Sequence, residues 1–271
     1  MINIIRTFIN QSLIGLAVLS MSAVFTQPST AETIAGQSGN VQAKISYDKP
    51  EEYQYKNVRL QIIRAGQTVL DQKLPQESEY DRPAGVFTDN KLPVLDLDGN
   101  QEPEVIADFF TGGAHCCTYS LIYRYDSKSK KYTQVRHDWG NGGYRLQDVD
   151  KDGLPEFESR DDRFAYAFTA YAASGYPLQI WQYRQGKMID VTRRYPKLIY
   201  NDAFELWKTY NQARQQGDDG KGFLAPYLAD KYLLGQGQDG WQRVQQAYQK
   251  SDRLQYFANL RKFLRETGYT K

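Results

Sequence analysis

Histidine, cysteine and methionine are scarce in this 271-residue chain, at two, two and three copies. The sequence holds no paired-histidine metal helix, no Ser-His-Asp grouping, no nucleophile elbow and no phosphate-binding glycine loop. The only cysteines, Cys116 and Cys117, lie far from the N-terminus, which excludes a bacterial lipidation site there. Strong charge of either sign is also missing: the formal net charge is +2, with Lys and Arg spread along the chain. That balance argues against a nucleic-acid surface. Long apolar runs are lacking too. The longest, Leu13 to Val24, is short and broken by serine, too little for a membrane span. With Arg6 before it and Ser29-Thr30-Ala31 after it, it reads as a signal peptide over residues 1–31. Cleavage there would leave 240 residues, enough for one sizeable domain or two small ones.

What is abundant is tyrosine, with 21 copies. An aromatic load of this kind suits β-strands and also suits flat surfaces that bind sugars or peptides. Residues 32–91 read as N-terminal β-strands and a linker: a polar, flexible stretch from Glu32 to Asn40, then strands at Val41–Tyr47 and Val58–Leu74. The second of these is folded into a hairpin by Arg64-Ala-Gly-Gln67.

Residues 92–196 form a repeat. Asp96-Leu-Asp-Gly-Asn-Gln-Glu-Pro-Glu104 aligns without a gap to Asp148-Val-Asp-Lys-Asp-Gly-Leu-Pro-Glu156, at a spacing of 52 residues. Each loop leads into about three strand-like segments. Ile122-Tyr-Arg-Tyr125 echoes Ile180-Trp-Gln-Tyr183, and Phe164–Tyr171 reads as a strand between them. Clustered carboxylates repel one another unless a cation sits among them, and calcium takes six to eight oxygen ligands that a short loop can largely supply. The first set would be Asp96, Asp98, Asn100, the Glu102 carbonyl and Glu104. The second would be Asp148, Asp150, Asp152, the Leu154 carbonyl and Glu156. Four negative charges against three predict tighter binding at the second loop. Asp, Asn and Gly also make ordinary turns. Two loops in register, each with Pro at position 8 and Glu at position 9, favour metal, and calcium over magnesium, which keeps its waters. An EF-hand is excluded because position 12 from Asp148 is Ser159 rather than Glu, and the flanks are strand-like.

The pattern Asp-x-Asp-x-(Asp/Asn)-x-x-Pro-Glu before an apolar strand resembles the calcium loop of FG-GAP/VCBS repeats, which form blades in integrin-type β-propellers. The resemblance covers roughly residues 92–195 and implies the eight side chains named above as ligands. The first loop departs from it, with Gln101 at position 6 and its glycine, Gly99, earlier. Two or three blades also fall short of a closed propeller. The expected fold is therefore mainly β, as partial propeller-like antiparallel repeat sheets, with a small helical bundle over residues 197–271. In that tail, Asn201 or Asp202 would cap the first helix and Ser251 the last.

Thr111-Gly-Gly-Ala-His-Cys-Cys117 is the other unusual segment. Three readings of His115, Cys116 and Cys117 stand open: a vicinal disulfide acting as a rigid or redox-sensitive turn, two reduced thiols, or a soft-metal site. His137 could join such a pocket. The leading functional expectation is an exported, periplasmic or secreted, non-catalytic calcium-binding protein. It would engage a protein or glycan at the cell envelope, with no nucleic acid and no integral membrane domain after cleavage. One alternative is a secreted hydrolase of cell-wall or polysaccharide material, with an aromatic groove of Tyr166, Tyr171, Tyr176 and Trp181 and acids such as Asp161 and Asp162. The other is a redox or soft-metal-handling protein built on His115, Cys116 and Cys117.

Overall fold

A computed structural model describes residues 31–83 and 91–270. The expected signal peptide lies outside them, apart from Ala31, which opens the first strand. Among the described residues, thirteen strands form three antiparallel sheets, and four α-helices follow. Sheet A is the meander β1 (Ala31–Ser38), β2 (Val41–Asp48), β3 (Lys56–Arg64) and β4 (Gln67–Lys73). Sheet B has β7 (Glu104–Gly113), β8 (Cys116–Asp126) and β9 (Lys131–Gly140) in order. The short strands β5 (Arg82–Pro83) and β6 (Val94–Leu95) both pair with β7. Sheet C is β10 (Tyr144–Gln147), β11 (Glu156–Arg160), β12 (Leu178–Arg184) and β13 (Lys187–Asp190).

The sheets stack face to face, and the alternation of side chains along each strand assigns them to layers. In β7, Val105, Ala107 and Phe109 pack on sheet A, together with Tyr119, Leu121 and Tyr123 of β8. The intervening Ile106 and Ile122 pack the other way, against Phe157 and Tyr183 of sheet C. Strands β7 and β8 of sheet B are thus buried on both faces, which is why β7 reads as an unbroken apolar run from Val105 to Ala107 and at Phe109. Sheet A is an outer layer, and β2 alternates accordingly: Val41, Ala43 and Ile45 are buried while Gln42 and Lys44 are exposed. The far face of sheet C carries Leu178 and Ile180 against Val191, Tyr195 and Ile199, where the helical layer begins.

The helices are α1 (Pro196–Gln215), α2 (Lys221–Leu233), α3 (Gly237–Ala247) and α4 (Arg253–Glu266). They share a core that includes Leu224, Leu228, Val244 and Leu260. Helix α2 is the central one, buried from Leu224 to Lys231. None of the described helices is long and apolar enough to cross a membrane.

The mainly β fold with a helical tail matches the sequence reading, and several local expectations do not. Residues 32–38, expected to be a flexible stretch, belong to β1 and pair with β2. Phe164–Tyr171 is not a strand but an irregular excursion with two 3-10 turns, at Asp162–Phe164 and Tyr171–Ala173. Helix α1 starts at Pro196 rather than at Asn201 or Asp202, because proline's fixed φ and missing N–H suit the first helical position. Asp202 instead accepts from the Leu178 amide (3.0 Å) and pairs with Arg160, tying α1 to sheet C. Helix α4 starts at Arg253 with no side-chain cap, so Ser251 does not cap it.

Candidate metal centres

Both acidic loops connect a short strand to the next: β6 to β7 in sheet B, and β10 to β11 in sheet C. Their geometry repeats in the 52-residue register. Glu104 Oε2 accepts from the Leu97 amide at 2.9 Å, and Glu156 Oε2 accepts from the Val149 amide at 2.9 Å. Asp96 Oδ2 accepts from the Gln101 amide (2.7 Å), and Asp148 Oδ2 from the Gly153 amide (3.0 Å). Asn100 Oδ1 caps the Glu102 amide (2.6 Å) as Asp152 Oδ1 caps that of Leu154 (2.8 Å). The backbone repeats as well. Gly99 (φ 77°) matches Lys151 (φ 65°), and Gln101 (φ 65°) matches Gly153 (φ 91°). Each loop needs two left-handed residues and supplies glycine at only one of them, a different one in each loop. The missing glycine at position 6 of the first loop is therefore a local strain and leaves the turn's path unchanged.

The structure gathers Asp96, Asp98 and Glu104 with one carboxylate oxygen each within 4.8 Å of the others, and does the same for Asp148, Asp150 and Glu156. Asp152 stands outside the second group, and Asn100 spends its oxygen on its own turn. The Glu102 side chain pairs with Arg64.

The two loops differ in how their carboxylates are satisfied. In the first, Asp98 Oδ1 and Glu104 Oε1 are buried with no hydrogen-bond partner. Arg124 approaches, with Nε 3.7 Å from Asp98 and 3.9 Å from Glu104, which is ion-pair range but too long for a hydrogen bond. Burial, reinforced by Asp98 and Asp96, pushes the Glu104 carboxyl up to about 8, against the Leu97 amide that favours its charged form. In the second loop, Glu156 Oε1 accepts from Gln182 Nε2 at 2.6 Å. Arg124 and Gln182 hold equivalent places in the echoed segments Ile122–Tyr125 and Ile180–Tyr183. The second aspartate of each loop also reaches the following layer: Asp98 Oδ2 accepts from the Gln185 amide (3.0 Å), and Asp150 Oδ2 from the Tyr195 hydroxyl (3.1 Å). Each loop thus stands at a layer junction. These partners were legible only in part. The echo of Ile122–Tyr125 in Ile180–Tyr183 places Arg124 and Gln182 together, whereas Gln185 and Tyr195 come from packing between layers.

The His-Cys-Cys segment forms the β7–β8 turn at the rim opposite the loops. Cys117 is disulfide-bonded, and the chain's one other cysteine is its neighbour Cys116. In this state Cys117 offers no thiolate to a soft metal. His115 is exposed and packs on Tyr171 (ring centroids 4.3 Å apart) and Tyr166 (5.9 Å). His137 does not join it. It lies between Trp139 (4.2 Å) and Trp181 (4.5 Å), where burial lowers its pKa to about 4. Trp181 is thus apart from the three tyrosines with which it was grouped. Asp161 is buried and committed to Arg163 (2.6 Å) and the Tyr269 hydroxyl (2.8 Å), a structural role.

Comparison with known proteins adds a partial likeness. A family model described as the sll0997 C-terminal domain matches residues 199–268, which is most of the helical layer. The chain is 31% identical over 163 residues to a probable thylakoid lumen protein, sll0997, of Synechocystis sp.; the match covers 59% of this chain and 48% of that relative. It is 28% identical over 228 residues to the uncharacterized protein y4bJ of Sinorhizobium fredii, covering 79% of this chain and 33% of the relative. The chain therefore spans from a third to about half of the length of these relatives. No solved structure matches it.

Proposed function

We propose that this chain is an exported, non-catalytic calcium-binding β-repeat protein of the FG-GAP/VCBS type, serving as a ligand- or partner-binding module at the cell envelope. One observation carries the reading: two buried carboxylate oxygens, Asp98 Oδ1 and Glu104 Oε1, without a partner in a loop whose geometry recurs 52 residues later. A buried acceptor left unsatisfied costs about 1–3 kcal/mol, and more for a charged group. A hard divalent cation bound among oxygen donors removes that cost. In this reading calcium fixes turns at the layer junctions and performs no chemistry. Three further observations support export: the N-terminal signal pattern, the bonded state of Cys117, and likeness to a relative named as a probable thylakoid lumen protein.

The test is thermal unfolding of purified protein in excess chelator and in millimolar calcium, with magnesium as a control. A calcium-specific rise in Tm is expected. An unchanged Tm would overturn the reading.

A further inference from the structure

The rim opposite the calcium loops holds a cleft of about 490 Å³ between the edge strand β9 and sheet C, within the size range of small-molecule sites. One wall is aromatic, with Trp181 of β12 beside His137 of β9. The charged groups along it are mostly spoken for. Arg160 pairs with Asp202, Arg163 with Asp161, and Asp138 with Arg136, while Asp190 accepts from Thr192 (2.6 Å).

Asp162 is the exception. Burial and the neighbouring Asp161 raise its pKa, the Asn141 amide lowers it, and among the described residues it forms no ion pair. Its position is built by the backbone: a Cβ at Gly140 would lie 2.3 Å from the Asp162 Cβ, so only glycine lets the two segments approach this closely. On the side away from Trp181, the same excursion carries Tyr166 and Tyr171, whose rings lie 5.5 Å apart and each meet His115 edge to face. Asn141 donates to the Tyr171 hydroxyl, which ties this cluster to the cleft. Tyr166 is 56% exposed and held at φ 59°, a conformation unfavourable for a bulky residue.

We propose that this rim binds an uncharged saccharide, with Asp162 accepting from ring hydroxyls and Trp181, Tyr166 and Tyr171 stacking on the apolar faces of sugar units to either side. Three features favour this class. The arginines are neutralised internally, so the cleft does not select an anion. The aromatic rings flank the carboxylate along an open rim, whereas an organic cation is held best by rings closed around one point. An aromatic plate beside a hydrogen-bonding acceptor matches the alternating apolar faces and polar edges of a pyranose. The inference rests on the binding-module reading and gives it a ligand class, but it does not depend on the ion, because the rim is built at the other end of the sheets.

The experiment is calorimetric titration of the full chain with neutral tetrasaccharides of glucose, N-acetylglucosamine, mannose and galactose, and with choline and arginine as cation probes. It is run once in calcium and once in chelator. Saturable binding of at least one tetrasaccharide is expected, weakened by roughly tenfold in Asp162→Ala and in Tyr166→Ala, the loss of one hydrogen bond or one stacking contact. Tyr166 is largely exposed, so its replacement tests the site without removing core packing. The proposal is overturned if no tetrasaccharide binds, if binding is unaltered in both variants, or if only choline or arginine competes for the cleft. Failure of the calcium reading shows up separately, as an unchanged Tm in calcium with saccharide binding intact.

Discussion

Replacing Glu104 by Gln separates a calcium ligand from an ordinary acidic turn, because the two roles give opposite signs. Glu104 is fully buried, with one oxygen on the Leu97 amide and the other unpartnered beside Asp98 and Arg124. Without a cation its charged form is penalised, as the rise to about 8 reflects. Glutamine keeps the carbonyl for Leu97 and places an N–H where an unpaired oxygen stood, near the Asp98 carboxylate. In chelator Glu104→Gln is therefore expected to match or exceed the parent protein in stability. In calcium the parent gains and the variant does not gain at this loop. With a dissociation constant of about 10⁻⁴–10⁻³ M and about 10 mM calcium, one site contributes roughly 1.4–2.7 kcal/mol. At about 2–4 °C per kcal/mol for a chain of this size, that is about 3–11 °C in Tm. Scanning calorimetry of both proteins in both buffers reads the crossing directly. The companion change Arg124→Gln copies the second loop's Gln182, removes a positive charge near the ion, and is expected to enlarge the calcium gain by about 1 kcal/mol. Equal calcium shifts in the parent and Glu104→Gln would refute the assignment of Glu104 as a ligand.

Further tests address the frame. Gln101→Gly places glycine at a left-handed position, φ 65°, and should stabilise the protein by about 0.5–1 kcal/mol in chelator denaturation; destabilisation would show that the Gln101 side chain matters more than its backbone. Gly222→Ala would set a Cβ 2.1 Å from the Ala173 carbonyl oxygen, where α2 meets the excursion of sheet C. Urea unfolding should show a loss of about 1–3 kcal/mol. Asp108 is buried between sheets B and C, held by Ser120 and by the Tyr144 hydroxyl (3.0 Å), and burial raises its carboxyl to about 7. A carboxyl raised on folding stabilises fully below its unfolded pKa and loses that contribution as pH rises towards 7. Its share, on the order of 4 kcal/mol, should vanish from the pH–stability profile of Asp108→Asn. An unchanged profile between pH 4 and 7 would contradict this.

The helices, hairpins and repeat were legible because their signals are local. The hairpin at Arg64-Ala-Gly-Gln67 forms as turn chemistry dictates, and Ala65 and Gly66 both take positive φ. The 52-residue register predicted two like loops, and their hydrogen bonds repeat residue for residue. Short strands were less visible. Val94–Leu95 and Tyr144–Gln147 carry too few residues for a periodicity, and they exist because β7 and β11 offer them an edge. The excursion after Arg160 read as a strand because its aromatics are strand-like, yet Phe164 and Phe168 pack into the helical core instead.

By itself, then, the sequence determined the acidic side chains of the two loops, their spacing and the two-part composition, since carboxylates at fixed offsets and apolar periodicity act over a few residues. Local amides satisfy one oxygen of Glu104 and of Glu156, and tertiary structure decided what meets the other. Gln182 completes one loop and Arg124 leaves the other short, although the two loops read nearly alike. Contacts between stacked sheets also decided that His137 sits with Trp181 and His115 with the tyrosines. Such contacts join residues tens of positions apart, and no local pattern encodes which faces will meet.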